Sequence, residues 1–430
     1  MKIAVIAGAG MGGTEKAAYM FAVELKRRGH QVDVLMDSNV HWVSILTQAG
    51  VHTLNVPYTQ EGLSEYIRKA SPAVIHNHTS GYADMRFIYA TMDEYGDSRP
   101  KLIETNVFGR LRDRNDNGRV DFRMFVSMAS GCQAFLRPRF YRGEPSSEKH
   151  GVLYNPLPPE IFDTTPETQL VSRQALGIAA NAIVLVRVGL PGNKWAKWEC
   201  EAFKIASRSI LNLHLILMEP TDDVKASVRD NAYGPAITIL KATSDPRFIQ
   251  SLYQMSDIML HASKYGESYG YTLAEGMRER LPIITRTTPW GDNAQVELVR
   301  HCETGFVCCG ILGMAKAVVQ LAKSSAMRNE MAAAAGMHVT TVSDLTSETD
   351  LLEEVLQYVT GNPAGPLMLR RFEGWMNYRN NAFAKAEWNV FERTTKNLSN
   401  FLIGRLHGFY KMGRSVISSV YWNLRYKLML

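Results

Sequence analysis

The sequence is poor in cysteine, and none of its cysteines is paired by spacing. Cys132, Cys200, Cys302, Cys308 and Cys309 are the five among 430 residues. No C-x-x-C occurs, the count is odd, and Cys308 and Cys309 are adjacent, a poor geometry for a bridge. A disulfide framework is therefore not expected, and a reducing compartment is. Long apolar runs are missing too: none approaches the roughly 18 residues that span a bilayer. The opening MKIAVIAGAG is broken by glycines and leads into a charged amphipathic segment. It reads as a first strand, not as a signal peptide. Internal repeats and low-complexity blocks are lacking as well.

What is present is globular: 46% hydrophobic and 21% charged residues exclude a disordered chain. The length exceeds what one ordinary core serves, so two domains with an appendage are expected. The net charge of +6 is uneven. Residues 365–430 hold eleven Lys or Arg against Glu373, Glu387 and Glu392, a local +8, which leaves −2 for the rest.

Strand-like runs KIAVIA, QVDVLM, AVIHNH and KLIETN alternate with helical patterns over the first 155 residues. In the first helix Ala17, Phe21 and Leu25 recur at i, i+4, i+8. After the proline-rich NPLPPE (155–160), a candidate hinge, a second series follows: AIVLVRVG, LHLILM, AITIL, DIMLHA, LPIIT and GFVC. This βα rhythm predicts two successive doubly wound parallel sheets, with ligands at the carboxyl ends of their strands across a cleft.

Two glycine-bearing stretches compete for a phosphate ligand. GAGMGG fits G-x-G-x-x-G with Gly8, Gly10 and Gly13, and Asp37 ends the next strand where a dinucleotide's ribose is held. That supports an NAD-dependent oxidoreductase, yet it leaves the second α/β series without a role. The other stretch is DIMLHASKYGESYGYTLAEGMRERLPIIT (257–285), with Glu267 and Glu275 spaced E-x7-E. Gly270 and its neighbours would open a helix whose free N–H groups suit a diphosphate. Glu275, about a turn further in, could accept hydrogen bonds from a ribose diol. Glu267, in the preceding loop, would sit beside whatever hangs beyond the phosphates.

This block resembles the E-x7-E region of retaining GT-B glycosyltransferases of family four (glycosyltransferase group 1). MGGTEKAAYMFAVELKRRGHQVDVL is similar to that family's G-G-x-E loop, helix and R-G-H-x-V strand, PAVIHNHTS to its fourth strand, and VLYNPL to its hinge. SLYQMSDIML and CETGFV match in order and spacing. The resemblance covers roughly residues 1–355 and implies a GT-B fold, two Rossmann-like domains facing across a cleft. The expected division is 1–156 for the acceptor side, 157–361 for nucleotide-sugar binding, and 362–430 for a basic aromatic helical extension.

The resemblance further implies transfer of a hexosyl unit from a UDP- or GDP-sugar to a glycan or lipid-linked hydroxyl, with retention. Glu275 would hold the ribose and Glu267 the sugar hydroxyls. Backbone amides from Ser268 and Tyr269 through Gly270, Tyr271 and Thr272 would meet the diphosphate. Gly12 and Gly13 would approach it from the other domain, so the informative unit is Gly12-Gly13-Thr14-Glu15 and not the G-x-G-x-x-G register. His78 would lie near the acceptor or sugar. No cofactor and no metal are expected, since cationic groups take the metal's place.

Departures from the family pattern are specific. Leu190 stands where the family's G-R-x-x-x-x-K has arginine, which leaves Lys194 as the lysine, Lys197 as its rival, and Arg187 as a substitute charge from two positions earlier. Asn106 stands where many members have a donor-contacting histidine, and E-A-M-A-x-G has become Glu275-Gly276-Met277-Arg278-Glu279-Arg280. These keep open a catalytically inactive GT-B carbohydrate-binding or scaffold protein.

Other motifs read blandly. His76 and His78 form H-x-H without an obvious third ligand, a strand-end pair. DRNDNGRVDFRM lacks the twelfth-position glutamate of a calcium loop, Met124 standing there, and reads as a solvated surface loop. The basic aromatic tail would either pack back across the domains or rest on anionic lipid at a membrane's cytoplasmic face. It resembles no base-reading module, so nucleic acid is not expected.

Overall fold

The computed structural model describes residues 1–382 apart from 9, 11, 37–39, 80–85, 110, 112–117, 137–143, 158–169, 190–191, 193, 230–235, 244 and 289–290. Asp37, Leu190, most of the DRNDNG segment and the tail beyond 382 lie outside the described residues.

The first unit alternates β1 (Lys2–Ala7), α1 (Gly13–Arg27), β2 (Gln31–Met36), α2 (Val40–Gln48), β3 (His52–Asn55), α3 (Gln60–Ala70), β4 (Val74–Thr79), α4 (Arg86–Tyr95), β5 (Lys101–Asn106), β6 (Phe122–Phe125), α5 (Met128–Leu136) and β7 (His150–Val152). Its strands form one parallel sheet in the order β3-β2-β1-β4-β5-β6-β7.

The second unit runs β8 (Ile183–Val188), α6 (Trp198–Ser207), β9 (Leu213–Met218), α7 (Asp222–Arg229), β10 (Ile237–Leu240), α8 (Pro246–Gln254), β11 (Ile258–His261), α9 (Tyr271–Arg278), β12 (Ile283–Arg286), α10 (Gln295–Leu298), β13 (Gly305–Cys308) and α11 (Ile311–Lys323). Its parallel order is β10-β9-β8-β11-β12-β13. The architecture is GT-B, two Rossmann-like α/β sheets. Because each sheet is covered on both faces, its central strands are near-continuous apolar runs, as in IVLVRV and LHLILM.

Strand order reverses between β1 and β4 in one sheet and between β8 and β11 in the other. The crevice outside the carboxyl ends of such strand pairs is where open α/β sheets bind ligands. The glycine loop after β1, His78 in β4, the Lys194 loop after β8 and the Glu267 loop after β11 all lie at these two reversals.

After α11 come α12 (Ser325–Val342), packed on α9, then α13 (Leu345–Val359) and α14 (Pro366–Asn377), which return to the first sheet. Leu352, Val355 and Leu356 of α13 share one core with Ile3, Val5, Phe21 and Leu25. Arg28 pairs with Asp350 and Glu353, both at 2.6 Å, and His30 with Glu353 at 2.7 Å. The return thus begins at Leu345, inside the stretch that sequence assigned to the second domain. Trp375 of α14 is fully buried among Phe125, Phe135 and Phe372. A methyl group on Gly131 of α5 would meet its ring at 2.6 Å. Among the described residues no helix is long and apolar enough to cross a membrane, and all five cysteines are free.

Candidate functional site

Gly270 precedes α9 with φ +105°, a left-handed conformation that favours glycine and turns the chain sharply into the helix. The first intrahelical bond runs from the Ala274 amide to the Gly270 carbonyl, so the amides of Tyr271, Thr272 and Leu273 have no acceptor within the helix. Glu267 lies just before this turn, and its main chain is clamped on both sides. Its amide donates to Gln295 Oε1 at 3.0 Å, and its carbonyl accepts from Ala294 at 2.8 Å.

The Glu267 carboxylate is buried and bound twice. Lys194 Nζ donates to Oε2 at 2.5 Å, and His261 Nε2 donates to Oε1 at 3.1 Å. Burial alone would push this carboxyl up; Lys194 and then His261 outweigh it and hold it well below the usual range. His261 is itself driven down to about 4, chiefly by burial and further by Arg187, so it is neutral at pH 7. A carboxylate only accepts, which places the imidazole proton on Nε2 and leaves Nδ1 bare and, among the described residues, without a partner. The Lys194 backbone is fixed from the same side, its carbonyl accepting from the Lys264 amide at 2.8 Å.

Arg187 does not reach this surface. It is buried, donates to Glu199 Oε1 at 3.0 Å and to the Val188 carbonyl, and lies 4.6 Å over the Trp195 ring. Glu199 Oε1 also accepts the Ala262 amide at 2.9 Å. The arginine ties β8, α6 and β11 together behind the site. The expectation that it faces a leaving group is corrected accordingly: a guanidinium with a buried carboxylate partner is already neutralised. Its influence is indirect, through His261.

The opposite wall is the glycine loop. Trp42 Nε1 donates to the Gly10 carbonyl at 2.9 Å, Tyr19 to Gly8 at 3.0 Å, and Tyr58 to Ala7 at 2.6 Å. The Glu15 carboxylate fills the loop's inner side, so that a methyl on Gly8 would meet Oε1 at 2.5 Å and one on Gly12 would meet Oε2 at 3.1 Å. A pyrophosphate entering the loop in the G-x-G-x-x-G manner would confront that carboxylate, which weakens the dinucleotide reading. Gly13 instead borders the second unit, where a methyl would meet the Tyr271 ring at 2.5 Å. Across the same seam Lys16 Nζ donates to Glu275 Oε1 at 2.7 Å and lies 5.1 Å from the Tyr271 ring centre. Tyr271 Oη donates to the Pro156 carbonyl at 2.9 Å, and Ser127 Oγ to the Ser268 carbonyl at 2.7 Å. Glu297 accepts the Met128 and Ala129 amides at 3.2 and 3.0 Å, capping α5 from the facing unit.

His78 is fully buried, cross-strand from Ala7, and neither ring nitrogen has a partner among the described residues. Its ring centre is 5.7 Å from that of His76, whose Nε2 meets Thr105 Oγ1 at 2.8 Å. Asn106 ends β5 and donates to Glu104 Oε1 at 3.2 Å, while Glu104 pairs with Arg123. Glu275 and Tyr271 thus meet Lys16 and Gly13 across one seam, Glu267 and Lys194 pair at the reversal of the second sheet, and Gly12 borders Glu15 of its own unit, whereas Arg187 and Asn106 are buried inward. Sequence reading missed His261, Gln295 and Lys16. A histidine closing a strand at the topological reversal was the available signal for the first. Among the described residues no three His, Cys, Asp or Glu cluster as a metal site.

Buried neutral histidines carry a pH consequence. His76 and His261 both titrate at about 4 when folded, chiefly through burial, against about 6.5 unfolded. Between those values the unfolded chain binds more protons, so their contribution is complete above about pH 6.5 and is lost as pH falls towards 4. Glu199, Glu297 and Glu348, raised by burial, act in the opposite sense. Comparison with His76→Gln subtracts those glutamates. The wild type is expected to lose more melting temperature between pH 6.5 and 4.5 than the variant, and parallel profiles would contradict the burial argument.

The glycosyl transferases group 1 family matches residues 182–324. No curated relative matches the chain by sequence. Among solved structures, a glycosyltransferase from Rickettsia africae is similar at TM-score 0.69 and 17% identity, covering 84% of this chain and 99% of that one. Anabaena HepE, solved with UDP and glucose, gives 0.65 and 16%, with 83% and 99% covered. Sucrose-phosphate synthase from Thermosynechococcus elongatus gives 0.63 and 14%, with 83% and 98% covered. Residues 182–324 thus match the glycosyl transferases group 1 family, and the two-sheet fold that carries them is similar to that of solved GT-B glycosyltransferases.

Proposed function

We propose that the chain transfers a glycosyl unit from a nucleotide-diphosphate sugar, UDP- or GDP-linked, to a glycan or lipid-linked hydroxyl with retention at the anomeric carbon. The observation that carries this reading is the grouping of the Lys194–Glu267 pair, the first-turn amides of α9, which have no acceptor within the helix, and Glu275 at the reversal of the second sheet. That set fits a diphosphate flanked by a ribose on one side and a sugar on the other. The matching family and the UDP bound in HepE support it.

Catalysis in this scheme is positioning plus electrostatics. Lys194 and the α9 amides would stabilise the departing diphosphate. Glu267, kept ionised, would orient sugar hydroxyls and offset the positive charge developing at the anomeric carbon. His261 fixes the Glu267 rotamer and, being neutral, adds no competing cation. A phosphate oxygen of the leaving group would take the acceptor's proton, so no protein base is assigned. The same reading assigns no metal, and activity is expected to survive EDTA. It also places the enzyme in a reducing compartment, with the basic tail against anionic lipid at the membrane's cytoplasmic face. Salt-sensitive co-sedimentation with anionic liposomes checks this last part.

The test of the function is a thermal-shift panel of UDP, GDP and ADP, their sugars, and NAD. Stabilisation by one nucleoside diphosphate and its sugar is expected. A response to NAD alone would replace the transferase with an oxidoreductase.

A further inference from the structure

We propose that Lys16 is the second cation of the donor site, supplied by the first unit to the diphosphate held at α9. The proposal rests on the donor-site reading above and extends it to a residue on the facing wall.

Among the described residues Lys194 is the one lysine that pairs with Glu267, Arg187 is sealed against Glu199, and position 190 carries leucine. A diphosphate at the start of α9 would therefore lie beside two carboxylates, Glu267 and Glu275, of which the described residues of its own unit pair only Glu267 with an ammonium, that of Lys194. Lys16 corrects that balance. It sits in the first turn of α1, its amide bonded to the Gly12 carbonyl at 3.1 Å, and its side chain crosses the seam to Glu275. The crossing is short because Gly13 has no Cβ to hold off Tyr271, the first residue of α9. The ammonium thus lies 5.1 Å from the ring centre of the first residue of α9, the helix whose first-turn amides have no acceptor within it.

An ammonium has three N–H donors, and among the described residues only Glu275 takes one from Lys16 by hydrogen bond. Two remain for phosphate oxygens. Glu275 uses Oε1 for Lys16, and Oε2 stays available for a ribose hydroxyl. The side chains of both residues are part-exposed, 30% for Lys16 and 19% for Glu275, so a ligand can reach them. In this arrangement Lys16 both neutralises the glutamate beside the phosphates and contacts the phosphates directly.

The experiment is calorimetric titration of the full-length chain with UDP, GDP and ADP and with the corresponding monophosphates. The wild type is compared with Lys16→Met, Lys16→Gln and Lys16→Arg, the unliganded melting temperature of each being recorded. Glutamine keeps a hydrogen bond to Glu275 and removes the charge; arginine keeps both. Lys16→Met and Lys16→Gln are expected to weaken the bound diphosphate about 10- to 100-fold, as loss of a charge-assisted contact does. The monophosphate should weaken clearly less, and Lys16→Arg should stay near wild type.

Equal weakening of mono- and diphosphate would mean that Lys16 acts only by holding Glu275, and overturns the proposal. So would wild-type affinity in Lys16→Gln. Tighter binding in Lys16→Met would make the pair a latch that nucleotide has to break, and this too overturns the proposal. A wild type that binds none of the three diphosphates removes the donor site itself, which separates that failure from the failure of Lys16.

Discussion

Lys194→Ala is expected to lower turnover about 10²- to 10³-fold in a purified assay with the donor found by thermal shift, the scale of losing one preorganised electrostatic contact to developing charge. More is lost than one ammonium. Lys194 is the strongest force keeping buried Glu267 ionised; without it, burial and a neutral His261 remain, and the carboxyl rises. The variant should therefore lose rate and also show an activity limb on the acid side at higher pH than the wild type. Glu275→Ala should fail comparably but differently. It removes the proposed ribose anchor, so donor KM should rise together with the fall in turnover. Near-normal rates in both variants would sink the assignment of the site.

Trp375→Ala should destabilise the protein by about 3–5 kcal/mol, the usual cost of emptying a buried aromatic site. The ring is fully enclosed by Phe125, Phe135 and Phe372, and Gly131 of α5 lies against it without a Cβ. Helix α5 also meets the second unit, through the Glu297 cap and the Gln133 amide bonded to the Gly291 carbonyl at 2.5 Å. Loss of the ring should thus loosen the seam as well as the core. The check is the urea midpoint of the first unfolding transition, with Trp375→Phe as the milder comparison. An unchanged midpoint would mean that α14 contributes nothing to the first unit.

Central strands were legible because their environment makes them monotonous. KIAVIA, QVDVLM, KLIETN and LHLILM match observed strands at both ends, and so does GFVC, an edge strand that is buried throughout. β3, β6 and β7 escaped for separate reasons. HTLN is an edge strand with exposed ends, FRMF hides an arginine paired with Glu104, and HGV has three residues. At the site, Glu267 and Glu275 could be singled out because they sit eight positions apart in one loop and helix. Lys16 could not, since its partner is 259 positions away and nothing local marks the pair. Arg187 was misjudged for a related reason: spacing placed a cation near the right strand end but could not disclose that Glu199, twelve residues on, had already claimed it.

The return of α13 to the first sheet bears on how the protein is made. The last strand of that sheet ends at Val152, whereas the helix that completes the core over Phe21 and Leu25 begins at Leu345. About 190 residues therefore leave the ribosome between the two, which at about 5–20 residues per second takes roughly 10–40 s. Throughout that interval the face of α1 that meets α13 waits for its cover, and Arg28 and His30 wait for Asp350 and Glu353. The nascent first half is expected to bind a holdase chaperone until α13 emerges, although the second half, with its own sheet and core, needs no such wait.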